Sequence, residues 1–180
     1  MVLKDLLSRN KATILERWFD LILETYPANT ANLMRKEKDP FTNPVGSTIS
    51  REIETLFKGL LEDRNVSQLS DSLNSILKIR SVQDFSPSQA VGFIFLLKKA
   101  IEETLKSEIH KEPLLEEWKK IHSRIDDLAL RAFDLYMDCR EKIFEIKVKQ
   151  ARAEKEMAFR MMETMTYSKK KSQKGEDLDS

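Results

Sequence analysis

The chain has 180 residues, room for one ordinary domain and an appendage. Hydrophobic residues make up 41% and charged residues 34%, while Gly (4) and Pro (5) are scarce, a composition that points to helix and leaves disorder to the ends. The net charge of +1 gives no reason to expect nucleic acid, and the single cysteine, Cys139, excludes an internal disulfide and a multi-cysteine zinc site.

The N-terminus carries Asp5 early and has no long apolar core, so it does not read as a signal peptide. The longest apolar run, Val91 to Leu97 with Gly92 inside, is far short of the roughly 20 residues a membrane span needs. A soluble protein of the reducing cytoplasm is expected.

The first helix is predicted over residues 2–26, where Leu3, Leu6, Leu7, Ile14, Leu15, Trp18, Phe19, Ile22 and Tyr26 recur at three- and four-residue steps. Pro27 ends it. Residues 28–40 read as irregular, with one short turn around Leu33 and Met34. Asn43-Pro44 opens the next helix, since Asn caps free N–H groups and Pro at the first helical position loses nothing. Its buried stripe is Ile49, Ile53, Leu56, Phe57, Leu60 and Leu61, with a turn at Glu62–Asn65. A third helix is expected from about Val66 to Ile79.

Ser86-Pro87-Ser88-Gln89 is the clearest helix start, a capping box with proline at its first position. The helix it opens is read through Leu105. Its first half is apolar on nearly all sides, so Val91 to Leu97 is placed in the middle of the core.

Pro113 starts the last helix, and apolar residues continue to Met165. Roughly 50 residues make a rod of about 80 Å at about 1.5 Å per residue. A compact body with a radius of gyration of about 15 Å cannot cover it, so a projecting C-terminal helix is expected. Trp118, Ile121, Ile125, Leu128, Ala132, Tyr136, Cys139, Ile143 and Ile146 form one seam; Leu115, His122, Ala129, Phe133, Met137 and Phe144 widen it. After Lys147 the face narrows to Ala153, Met157, Met161 and Met165. The chain is therefore divided into a body over 1–148, a helical extension over 149–166 and a disordered charged tail over 167–180.

Residues able to carry chemistry are sparse. No phosphate loop, nucleophile elbow or zinc-binding helix motif is present. His110 and His122 stand twelve apart, which on a helix gives opposite or unrelated faces. His122 could ligate haem, but a half-buried histidine with a backbone or carboxylate partner is the plainer reading. Adjacent acids such as Asp126-Asp127 and Glu102-Glu103 point about 100° apart on a helix and do not converge. Cys139 could be a redox sensor beside Arg140, but its place between Tyr136 and Ile143 reads as packing. The methionines with Arg152, Lys155 and Arg160 around them suit an adaptable contact surface or, less favoured, an anionic membrane. No catalytic, cofactor or metal site is expected, and the protein reads as a module for contacts rather than an enzyme.

Three stretches carry a family resemblance: Phe41-Thr42-Asn43-Pro44-Val45-Gly46, Arg80 to Val91, and Phe133 to Ile143. They resemble the RsbRD-type N-terminal domain of the RsbT co-antagonists of the bacterial stressosome, over about residues 1–150. The resemblance implies a globin-like, non-haem, all-α helical bundle, a role in stress-response signalling, and dimers. Full stressosome proteins continue into a C-terminal STAS domain, and no STAS sequence is read here. A free-standing sensor or adaptor is therefore expected. Stand-alone relatives suggest, as an alternative, an accessory or scaffold subunit near membrane electron-transfer complexes of sulfur-metabolising anaerobes. The contact residues expected are Ile143, Ile146, Ala153, Met157, Met161 and Met165, meeting a second copy in a homodimer or another protein.

Overall fold

The computed structural model describes residues 2–37, 39–83, 85–111 and 114–176, and the side chains among them apart from Ser107, His110 and those from 168 onward. Eight α-helices are described: α1 (Leu3–Arg9), α2 (Lys11–Leu23), α3 (Ala28–Lys36), α4 (Pro44–Leu61), α5 (Ser70–Ser81), α6 (Pro87–Gly92), α7 (Leu96–Leu105) and α8 (Leu114–Glu176). Short 3₁₀ turns cover Val66–Leu69 and Lys106–His110. No strand occurs among the described residues, so the protein is an all-α helical bundle with a long C-terminal helix, as expected. The chain divides into two compact units, Met1–Cys139 and Arg140–Ser180.

In the first unit α2 packs on α7 and α4, and α4 packs in turn on α5. Ile14, Trp18, Leu21 and Ile22 of α2 are buried, as are Ile49, Ile53, Leu56 and Phe57 of α4. From α8, Trp118, Ile125, Leu128, Ala129, Ala132, Leu135 and Tyr136 join this core. Polar contacts seat α8 at both ends of the chain's first half. Glu117 accepts from the Leu3 N–H (2.8 Å), filling the uncapped start of α1. Arg124 donates to the Leu60 and Arg64 carbonyls and to Asp63, closing the turn after α4 where Asp63 adopts a φ of 54°.

The local signals explain where the helices begin. Asn43 accepts from the Gly46 N–H and Pro44 follows at the first position, as its sequence predicts. Ser86 and Gln89 make the reciprocal capping box.

Four boundaries differ from the sequence reading. The first helix breaks at Asn10, whose side-chain amide donates to the Leu6 carbonyl (2.9 Å) and competes with the backbone ladder. Residues 28–36 are helical, burying Ala31 and Met34, too few apolar positions to announce an amphipathic stripe. A 3₁₀ turn with its own capping box, Asn65 and Gln68, precedes α5. The helix expected from Pro87 to Leu105 is split into α6 and α7. The Phe93 carbonyl at the break accepts from the Trp18 indole N–H (2.7 Å), and neighbouring N–H groups bond three residues back instead of four.

Two packing expectations are also corrected. Phe93, Ile94 and Leu97 are buried, but Phe95 is exposed and Leu96 half-buried, because the break turns Phe95 outward. The wide face read on α8 is narrower than expected: Phe133 and Met137 are exposed, and so is Phe144 in the second unit. Tyr136 and Leu135 take the covered side of that turn.

The second unit is helical as far as Glu176. The charged tail expected over 167–180 falls mostly on residues whose side chains lie outside the described ones, as do residues 177–180 altogether.

Candidate functional site

The six contact residues named from the sequence all lie on α8 in the second unit. Ile143 is half-buried; Ile146, Ala153, Met157, Met161 and Met165 are exposed. The steps from Ala153 to Met165 are four residues each, which keeps these side chains on one side of a helix while drifting slowly around it. Phe144, Phe159 and Met162 are also exposed on α8, away from this stripe. Some of the polar side chains along this segment pair with one another or with the helix itself. Arg160 pairs with Glu156 (2.7 Å), and the hydroxyls of Thr164 and Thr166 donate to the Arg160 and Met162 carbonyls. What remains is a run of exposed apolar side chains.

A second feature was not singled out from the sequence. Arg80, at the end of α5, is 0% exposed. Its guanidinium donates to the Tyr26 hydroxyl (3.3 Å), the Thr25 hydroxyl (3.2 Å) and the Gln89 carbonyl (3.1 Å), all neutral acceptors. It lies 4.1 Å from the Phe85 ring centroid, with Tyr26 and Phe93 flanking at 5.2 and 5.8 Å. Its Nε has no hydrogen-bond partner among the described residues. Burial lowers the Arg80 pKa, only partly countered by Tyr26, and burial raises that of the Tyr26 phenol against the pull of Arg80. The group joins the end of α2, the end of α5 and the start of α6. Chemically it is a clamp: a cation held by π faces, hydroxyls and carbonyl oxygen, with no carboxylate partner among the described residues. Arg80 opens the most distinctive stretch of the sequence, the one signal that could have pointed to it.

The candidates for chemistry are dispersed. His122 is half-buried against Trp118 in an edge-to-face contact, and its Nδ1 stands 2.8 Å from the Lys98 ammonium. Lys98 also donates to Asp126 (2.6 Å). The carboxylate nearest His122 is that of Asp126, 3.7 Å from Nδ1, while its close partner is Lys98. Cys139 is half-buried and free. His110 lies outside the described side chains. Among the described residues no three His, Cys, Asp or Glu side chains gather as a metal site would require. No helix among them is long and apolar enough to cross a membrane.

A helical bundle with a long C-terminal helix, rich in exposed apolar side chains, is the class that fold and surface define. The chain belongs to the family described as the RsbT co-antagonist protein RsbRD N-terminal domain, a regulatory signalling family, which matches residues 12–150. It is also similar to an uncharacterized protein of Archaeoglobus fulgidus, 25% identical over 160 residues that make up 88% of this chain and 96% of that one. No solved structure matches.

Proposed function

We propose that this chain is a non-catalytic, stressosome-type signalling module of which two copies pair, and that it transmits or docks through α8. Membership of a regulatory family supports the signalling part. The observation that supports the pairing is the exposed stripe Ile146, Met157, Met161 and Met165 on the second unit. A helix alone in water is marginal, and an apolar stripe on one asks for cover. Covering a methionine or isoleucine is worth about 1.5–3 kcal/mol. Counted from both copies, such side chains match or exceed an association cost of about 4–15 kcal/mol.

In this reading the signal reaches α8 where Trp118, Ile125, Leu128 and Tyr136 sit in the core, and leaves through the same helix. The body needs no reaction to do this; it needs two packing arrangements that a stimulus biases. The methionine content, suited to adaptable contacts, favours one second reading, in which the stripe docks on another protein as an accessory subunit does. Sedimentation of the full chain across concentration tests the proposal. A dimer is expected, with Met157→Glu plus Met161→Glu weakening it at least a hundredfold. A monomer at every concentration refutes the pairing and leaves the stripe to another protein.

A further inference from the structure

A cleft in the first unit is separate from the α8 stripe. It runs between α2 and α4 with a volume of about 550 Å³, floored by Leu15, Phe19, Met34 and Ile53. Glu16, Glu37 and Glu54 stand around it against a single Arg51. Arg51 is engaged by Glu52 (2.8 Å) and Glu54 by Lys11 (2.6 Å), while Glu16 and Glu37 have no cationic partner among the described residues.

The loop leading to Asn43, which lines the cleft, carries several hydrogen bonds among its described residues. Asn43, buried, donates to the Met34 and Glu37 carbonyls (3.0 and 2.9 Å) and accepts from the Gly46 N–H (2.9 Å). Asp39 accepts from the Phe41 and Asn43 N–H groups and from the Thr42 hydroxyl. The Phe41 ring takes no part in these hydrogen bonds and is 94% exposed. Phe41 lies in the chain between Glu37 and Asn43, which both line the cleft, and so offers apolar area beside it.

We propose that this cleft and Phe41 form a docking site for another protein, which inserts an amphipathic helix, apolar on one face and basic along its flanks. From Gly46 to Glu54 the α4 wall is about 12 Å long, two turns of a helix, at about 1.5 Å per residue. The open trough with its apolar floor takes anchors spaced at i, i+3 or i+4, and i+7. The carboxylates of Glu16 and Glu37, without a cationic partner among the described residues, select a basic helix over an acidic one. Phe41 is an exposed aromatic that a partner can cover. The open trough suits a helix better than a small molecule, which a site would enclose.

Two synthetic helix-forming peptides with identical leucine spacing, one filled with lysine and one with glutamate, test this against the full chain by fluorescence anisotropy. The lysine peptide is expected to bind at least tenfold more tightly than the glutamate peptide. Glu16→Lys with Glu37→Lys is expected to weaken it at least tenfold, and Phe41→Ala at least fivefold. Met157→Glu with Met161→Glu is expected to leave it unchanged. All these positions are exposed or half-buried, so helicity by circular dichroism stays at the native value. Absence of lysine-peptide binding, equal binding of both peptides, or loss only in the methionine variant overturns the proposal. So does a change in the chain's own sedimentation on Phe41→Ala, which would make the occupant a second copy.

Discussion

Replacing Arg80 separates what its charge costs from what its shape contributes. The side chain is fully buried, and its three hydrogen bonds run from 3.1 to 3.3 Å, longer than the usual 2.9–3.0 Å. Each is worth about 1 kcal/mol, and the stacking on Phe85 adds about 1–2 kcal/mol. Against these stands the desolvation of a cation without a carboxylate among the described residues, several kcal/mol. The two sides nearly cancel. Arg80→Met, close in length and uncharged, is therefore expected to cost only about 1–2 kcal/mol, mostly the acceptor left at the Gln89 carbonyl. Arg80→Lys keeps the buried charge but lacks the planar fork that reaches three acceptors, and should cost about 3 kcal/mol or more. Arg80→Ala opens a cavity and falls in the range of about 2–5 kcal/mol. Urea unfolding of the full chain at one fixed protein concentration reads these values. A lysine variant as stable as the methionine variant would refute the reasoning, because it would mean that a buried charge without the fork costs no more than an uncharged side chain.

Two further perturbations follow from the same geometry. Burial holds the Tyr26 phenol above its ordinary value of about 10, so the neutral form is favoured in the folded state. The stability this contributes is complete below pH of about 10 and is lost as pH rises from there toward the folded value. Thermal melts at rising alkaline pH should accordingly fall more steeply for the native chain than for Tyr26→Phe, and parallel curves would contradict the burial effect. At Gly46 an added Cβ would lie 2.4 Å from Asn43 Nδ2, whereas at Gly92 it would meet nothing within 4 Å. Gly46→Ala should displace Asn43 from three backbone groups and cost about 2–3 kcal/mol, with Gly92→Ala near neutral in the same melt.

The sequence showed best what is decided locally. Asn43-Pro44 and Ser86-Pro87-Ser88-Gln89 open helices because a cap needs only its next three residues. It showed less where distant groups decide. The break after Gly92 places the Phe93 carbonyl on the Trp18 indole, 75 residues away in the chain. Arg80 is held by Tyr26, Phe85 and Phe93, which no spacing pattern brings together. Periodicity put Phe133 and Met137 on an apolar face of α8, yet only the side bearing Leu135 and Tyr136 is covered. The narrow methionine stripe was legible as a pattern, and its exposure within one chain is what the structure adds.

The central claim is that a second copy covers that stripe, and cysteine cross-linking tests it most directly. In a Cys139→Ser background, Ala153→Cys, Met157→Cys, Met161→Cys and Met165→Cys are made one at a time, with Glu145→Cys and Glu156→Cys as controls off the stripe. In a two-fold pair, stripe residues near the axis meet their own counterparts at a separation a disulfide can span. Mild oxidation at low protein concentration is expected to link at least one stripe variant into a covalent dimer, and neither control. Equal linkage at stripe and control positions, or none at any of the four, would contradict the account.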